Sequence, residues 1–261
     1  MKTWIAILTM TLVQVFAHSA AAYILPLDFI LQKSSGLAGN SIISVEQEVR
    51  YKDGPKTYAV RENWLIEGDR NLKVTVKGVG ELKDAVNAVF LYNNKTRTSV
   101  VNKQKLTKTV LPDFFERYLS IKSKESYMGY IKELGLGEDV RLSRAGGTVC
   151  FAIGNVSTAN DVQPHIWIDQ NSFRLTKMRF PGKAEVEFGD YIEKDGIHYP
   201  KLKTVSWDGK SISIAVIKVT TKSGATIKNF YPETLEASNP SSLAAFGSAG
   251  AALEEFYSRF R

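Results

Sequence analysis

The sequence predicts an α+β protein: one strongly curved antiparallel sheet of about ten or eleven strands, with helices covering its concave side. Three observations predict it. Apolar and polar residues alternate over most of the chain, the period of a strand with one wet face. The connections between these runs are short and rich in Gly, Asp and Asn, which makes neighbouring strands antiparallel. A sheet of that many strands does not stay flat, because natural twist curls it and leaves a hollow that side chains, helices or a ligand must fill.

Pro26 suits the first turn of a short helix, in which Leu27, Ile30 and Leu31 share one face and Gly36 ends it. Ile43, Val45, Val49 and Tyr51 then alternate with Ser44, Glu46, Glu48 and Arg50. Asp53-Gly54-Pro55 turns the chain into Tyr58, Val60, Trp64 and Ile66, which alternate with Thr57, Arg61 and Asn63. Leu72, Val74 and Val76 follow against Lys73, Thr75 and Lys77, and residues 86–92 and 96–101 make a further hairpin across Asn93-Asn94-Lys95.

The middle of the chain is helical. Pro112-Asp113 opens a segment with Phe114, Phe115, Tyr118 and Leu119 on one side, and residues 123–134 carry Tyr127, Met128, Tyr130, Ile131 and Leu134 up to the stop at Gly135. Strands resume at 148–154, 165–169, 173–180, 184–191, 197–206 and 211–221, with tight turns at Pro181-Gly182, Asp195-Gly196 and Asp208-Gly209. Residues 232–240 read as irregular. Beyond them Leu243, Phe246, Leu253, Phe256, Tyr257 and Phe260 fall at helical spacing, interrupted by Gly247 and Gly250. Each such glycine costs about 1 kcal/mol relative to alanine, so this short amphipathic helix needs docking to persist.

The first residues are of another kind. Lys2 precedes an apolar run from Trp4 to Phe16, and Ala17-His18-Ser19-Ala20-Ala21-Ala22 supplies small residues for a signal peptidase. That layout predicts a secretory signal peptide over residues 1–22, cleaved near Ala22, and an exported mature chain. The remainder divides into a domain over 23–236 and a C-terminal tail over 237–261 that holds the short amphipathic helix.

Composition excludes several function classes. With 44% hydrophobic and 23% charged residues the chain is an ordinary globular protein, neither disordered nor collagen-like. One cysteine, Cys150, rules out an intramolecular disulfide and a multi-cysteine metal cluster and reads as a small buried filler. The net charge of +7 suits an anionic neighbour, but no Arg/Lys stripe interleaves with aromatics, so nucleic acid is not an expected partner. There is no Gly-x-Ser-x-Gly elbow, phosphate loop or calcium loop, and the mature chain offers only His165 and His198 as bases. Both histidines read as strand residues at a sheet margin. The carboxylate pairs Glu46/Glu48 and Glu185/Glu187 fall on the wet phase of their strands. No enzyme, cofactor or metal site is expected.

The order of elements resembles the periplasmic outer-membrane lipoprotein carrier family, the LolA-like proteins. The likeness rests on Ser44-Val45-Glu46-Gln47-Glu48-Val49, on Glu62-Asn63-Trp64-Leu65-Ile66 and on Asn71-Leu72-Lys73-Val74. His165-Ile166-Trp167-Ile168-Asp169, Phe173-Arg174-Leu175-Thr176-Lys177-Met178, Val186-Glu187-Phe188-Gly189-Asp190-Tyr191 and Asp195-Gly196-Ile197-His198-Tyr199-Pro200-Lys201 extend it. It covers about residues 24–231 and leaves the C-terminal helix outside, free to serve as a lid, a docking element or a membrane contact. The resemblance implies a bent half-barrel closed by helices whose apolar interior shields lipid acyl chains, a non-enzymatic periplasmic carrier working toward the outer membrane. Its implied partners are lipid acyl chains or lipoproteins, an inner-membrane donor complex and an outer-membrane acceptor, with transient membrane contact. A different use of the same scaffold is an envelope structural or sensory module that binds protein. One departure is plain: the best-known carriers have Arg-Pro just after the strand-two tryptophan, whereas this chain runs Trp64-Leu65-Ile66-Glu67-Gly68.

Under the carrier reading the expected lining comes from Val45, Trp64, Ile66, Val74, Phe90, Phe151, Ile166, Ile168, Met178, Val186, Phe188 and Ile214 on strands. Phe114, Phe115, Tyr118, Met128 and Ile131 join them from the helical middle. This set depends on strand phase, since a slip of one residue exchanges the two faces.

Overall fold

A computed structural model describes residues 24–101, 104–158, 161–222, 226–235 and 243–261; the leader read in residues 1–22 lies outside them. The described strands are β1 (Ile43–Asp53), β2 (Lys56–Ile66), β3 (Asn71–Val79), β4 (Asn87–Asn93), β5 (Thr96–Val101), β6 (Gln104–Thr109), β7 (Val140–Ala145), β8 (Thr148–Ile153), β9 (His165–Asp169), β10 (Leu175–Arg179), β11 (Glu185–Lys194), β12 (Ile197–Trp207) and β13 (Lys210–Thr221). The helices are α1 (Leu27–Gly36), α2 (Lys124–Glu133) and α3 (Gly247–Arg259).

All thirteen strands form one open sheet in the order β6-β5-β4-β3-β2-β1-β13-β12-β11-β10-β9-β8-β7. Sequence reading gave ten or eleven; the two it lacks, β6 and β7, are the two edges. Every neighbouring pair is antiparallel, and every pair except β1–β13 is also consecutive in sequence. The sheet is thus two meanders joined along one seam, where Val45 lies opposite Val219 and Val49 opposite Ile214 across a bulge at Glu46/Gln47.

This topology explains the helices. β6 and β7 follow each other in sequence yet occupy opposite edges, so residues 110–139 must cross the whole sheet. On a curved sheet the chord across the concave side is shorter than the arc, and the crossing segment takes it. It buries Phe114, Phe115, Tyr118, Ile121, Tyr127, Ile131 and Leu134, using a 3-10 turn over Phe115–Ser120 and then α2. Ser123 caps α2, its hydroxyl accepting from Ser126 N at 3.2 Å, and Gly135 ends the helix at a positive φ of 67°.

The curvature is read from α3. β4 and β12 are five strand steps apart, about 24 Å along a flat sheet. Yet adjacent residues of α3 touch both: Tyr257 lies 6.5 Å from Phe90 of β4, and Phe256 lies 6.3 Å from Trp207 of β12, between ring centroids. The sheet therefore wraps around this helix. The segment expected as a tail is docked inside the fold, with Leu243, Leu253, Phe256 and Phe260 buried. Gly250 makes that seat possible, because a Cβ there would lie 1.8 Å from the Leu243 carbonyl oxygen.

Among the described residues the outer face is covered locally. A 3-10 turn over Ile227–Phe230 lies on β3 and β4, its Phe230 buried and its carbonyl accepting from Asn93, which accounts for the burial of Leu91 and Val89. Ala145, Cys150, Ala152 and Trp167 make a second, small apolar cluster on β7–β9. Arg179 and Lys177 hold their cations over the Trp167 ring at 5.3 and 5.8 Å.

Candidate functional site

The inner face of the sheet is an apolar wall laid down by strand phase. Cross-strand register carries one stripe through Val45, Trp64, Val74 and Phe90 and another through Ile166, Met178, Val186, Val205 and Ile212. Val45, Trp64, Ile66, Val74, Phe114, Phe115, Tyr118, Ile131, Phe151, Ile166, Ile168, Met178, Val186, Phe188 and Ile214 are buried in one continuous cluster. Phe90 and Met128 pack against it with part of their surface exposed. The face is covered in turn: Phe114 stacks on Tyr92 at 4.2 Å and 9°, with Trp64 5.9 Å from Tyr92, and α3 lies alongside. Between α1, the 3-10 turn and β10–β12 lies a partly open pocket of about 20 Å³, room for a single water. In this state the chain's own side chains occupy the hollow.

Sequence reading missed the centre of this wall, which is polar. Gln47, Glu62 and Lys203 stand on the inner phase of β1, β2 and β12, and Glu116 and Arg261 reach them from the crossing segment and from beyond α3. Glu62 accepts from Gln47 Nε2 at 2.6 Å, Trp64 Nε1 at 2.9 Å and Arg261 Nε at 3.0 Å. Lys203 Nζ donates to Glu116 Oε1 at 2.6 Å and to Gln47 Oε1 at 2.7 Å, and the Tyr199 hydroxyl donates to Glu116 as well. Arg261 Nη1 lies 3.5 Å from Glu116 Oε2. Two carboxylates and two cations balance formally, which is the condition for burying any of them. Arg97 holds the last turn of α3 and the residues beyond it in place, donating to Tyr257 O at 2.7 Å and to Arg261 O.

The signal for this cluster was available. The inner phase of β2 runs Val60, Glu62, Trp64, Ile66, so Glu62 breaks an apolar series, as Gln47 does between Val45 and Val49 and Lys203 does before Val205 and Trp207. Polar residues on the buried phase of three strands require partners, and the neighbouring elements supply them.

Burial pushes the Glu62 carboxyl up, but the charge of Arg261 and the hydrogen bonds from Arg261, Gln47 and Trp64 outweigh it and hold the group below its ordinary 4.5. Burial lowers the Lys203 ammonium, with Glu116 opposing. A carboxyl lowered by folding stabilises the native state fully above its unfolded value and loses that contribution as pH falls through the native one. The melting temperature is therefore expected to hold level down to about pH 5 and to drop below about 4.5. In Glu62→Gln the whole curve lies lower and its acid limb is shallower. Parallel acid limbs in a thermal melt series would remove Glu62 from this role.

The histidines sit away from the inner polar centre. His165 is buried, its Nδ1 donating to Gln163 O at 2.9 Å and its Nε2 accepting from Arg141. Burial, with Arg141 and Arg179 nearby, lowers its pKa and keeps the ring neutral at pH 7. His198 Nδ1 accepts from Arg174 at 3.0 Å. On the outer face Glu46 and Glu48 pair with Arg61, and Glu185 with Lys177 and Arg179. Among the described residues no helix is long and apolar enough to cross a membrane.

No family model matches the sequence, and no curated protein matches it. Solved structures do. A LolA superfamily protein from Nitrosomonas europaea superposes with a TM-score of 0.57 at 11% identity, over 81% of this chain and 100% of its own. A putative outer membrane lipoprotein-sorting protein domain from Vibrio parahaemolyticus gives 0.55 at 14%, over 80% and 97%. A DUF1329 family protein from Desulfovibrio piger gives 0.53 at 11%, over 82% and 100%. With its single open antiparallel sheet bent around helices, the chain has the LolA-like fold.

Proposed function

We propose that the protein is a non-enzymatic carrier that holds lipid acyl chains, free or on a lipoprotein, against the concave face of its sheet. It would shield them in the periplasm, from an inner-membrane donor toward an outer-membrane acceptor. Residues 23–236 form the carrier domain, and the C-terminal helix fills its hollow between loads. One observation carries the reading: the inner wall is apolar around a small polar centre, and part of what covers it is the single helix α3.

The energetics suit exchange. Leu253, Phe256, Tyr257 and Phe260 are what α3 and its end bring to the wall, each worth about 1.5–3 kcal/mol when fully buried. An acyl chain of about ten methylenes returns roughly 8 kcal/mol at ~0.8 kcal/mol per methylene, within the range of those four apolar side chains, and the ion pairs of Arg261 are a further contribution that a displacing ligand must replace. The fold shared with the LolA superfamily protein and with the putative lipoprotein-sorting protein domain from Vibrio parahaemolyticus supports this.

A fatty acid brominated along its chain is expected to quench Trp64 and Trp207, both buried on this wall, at stoichiometric ratio, and native mass spectrometry should find one or more tails on protein drawn from an envelope. Unquenched tryptophan and empty protein would leave the second reading, an envelope structural or sensory module that binds protein. The occupation of the hollow by the chain's own aromatic side chains is the observation on that side.

A further inference from the structure

The guanidinium of Arg261 fills a compartment that other parts of the chain build around a cation. Its Nε donates to Glu62 at 3.0 Å, its Nη1 lies 3.5 Å from Glu116 Oε2, and its central carbon sits 4.6, 4.8 and 5.3 Å from the ring centroids of Phe115, Phe256 and Trp64. Only Phe256 and Arg261 arrive with α3. Glu62, Trp64, Phe115 and Glu116 belong to the sheet and the crossing segment and stay behind when α3 leaves.

What stays behind leaves Glu62 without the cation bonded to it, while Arg97, 5.0 Å over the Phe90 ring, is released from Tyr257 O and Arg261 O. Lys203 is engaged by Glu116 and Gln47, so Glu62 keeps its hydrogen bonds from Gln47 and Trp64 but loses its counter-charge. A carboxylate set among aromatic faces attracts an ammonium or guanidinium and repels a carboxylate or phosphate. Arg261 also fits incompletely: its Nη2 is buried without a hydrogen-bond partner, and Glu116 Oε2 accepts no hydrogen bond.

We propose that Arg261 stands in for the cationic head of the ligand, and that the concave site takes amphiphiles ending in a primary ammonium or a guanidinium. The proposal rests on the reading of the concave face as an acyl-chain site. Ligand head and Arg261 compete for Glu62, as tail and α3 compete for the wall. Displacement of the helix then leaves Glu62 with a counter-charge, because one cation replaces another.

Two measurements test it. In Arg261→Ala, millimolar N-ethylguanidinium is expected to raise the thermal midpoint where matched sodium chloride does not, and Arg261→Ala/Glu62→Gln should lose that response. In the unaltered protein, dodecylammonium and dodecylguanidinium below their micelle concentrations should bind at least about ten-fold more tightly than dodecanoate, the equivalent of about one ion-pair or cation–π contact. They should also speed amide exchange over Gly247–Arg259. The net charge of +7 would by itself favour the anion, so preference for the cation reports the compartment. Equal binding of dodecanoate and dodecylammonium overturns the proposal and leaves the acyl-chain reading standing; failure of all three to bind overturns both. Where Arg261→Ala does not fold, the competition and exchange results on the unaltered chain decide.

Discussion

Arg261→Ala is expected to cost the folded state about 3–5 kcal/mol, the range for removing one partner of a buried ion pair. The loss is large because three things fail together. Glu62 keeps a full charge in a place without water, the Glu116 carboxylate loses its second cation, and the aromatic faces of Trp64, Phe115 and Phe256 lose what they pack against. At about 2–4 °C per kcal/mol for a chain of this size, the melting temperature should fall by roughly 6–20 °C. Arg261→Ala/Glu62→Gln should recover part of it, since no unpaired charge remains, and the double-mutant cycle should give a coupling of at least about 1 kcal/mol. Losses that add within about 0.5 kcal/mol would mean that the two residues are not coupled.

Gly250→Ala is expected to loosen α3 and with it the inner face. The added Cβ would sit 1.8 Å from the Leu243 carbonyl oxygen, a backbone atom with no rotamer to swing away, so the turn before the helix must move. Overpacking of this sort costs about 1–3 kcal/mol or more. The consequence should be specific: faster amide exchange over Gly247–Arg259, new binding of a hydrophobic dye, and tighter binding of a fluorescent fatty acid. Gly78→Ala is the matched control. Its Cβ would also fall 1.8 Å from a backbone oxygen, that of Leu82, in the 3-10 turn after β3 and not in the approach to α3. It should destabilise to a similar degree without gaining acyl binding. If the two variants behave alike, α3 is an ordinary core helix and not a displaceable occupant.

Much of this architecture was legible from strand phase. Where one face is wet and the other buried, alternation fixes which side chains turn inward, and the stripe Val45-Trp64-Val74-Phe90 follows from it. The edges were not legible, for the same reason. β6 is exposed at every position, so it has no buried phase to alternate against, and β7 is half-exposed along most of its length. The polar centre was half legible: an acid on the apolar phase of β2 announces a partner without naming it. Naming it was out of reach, because Arg261 lies 199 residues away and Glu116 joins Lys203 across 87. The glycines of α3 read as weakness in a helix, and only the fold shows that Gly250 is there to let the Leu243 backbone approach.

The seam between β1 and β13 has a consequence for how the molecule comes into being. Every other ladder joins strands that are neighbours along the chain and can zip locally at little entropic cost, whereas this one must gather the two ends of a loop spanning most of the protein. Two partly formed half-sheets, each with a raw hydrogen-bonding margin and an uncovered greasy side, must therefore meet late. A newly made chain is most exposed to self-association during that interval, and its survival depends on how quickly the halves find each other.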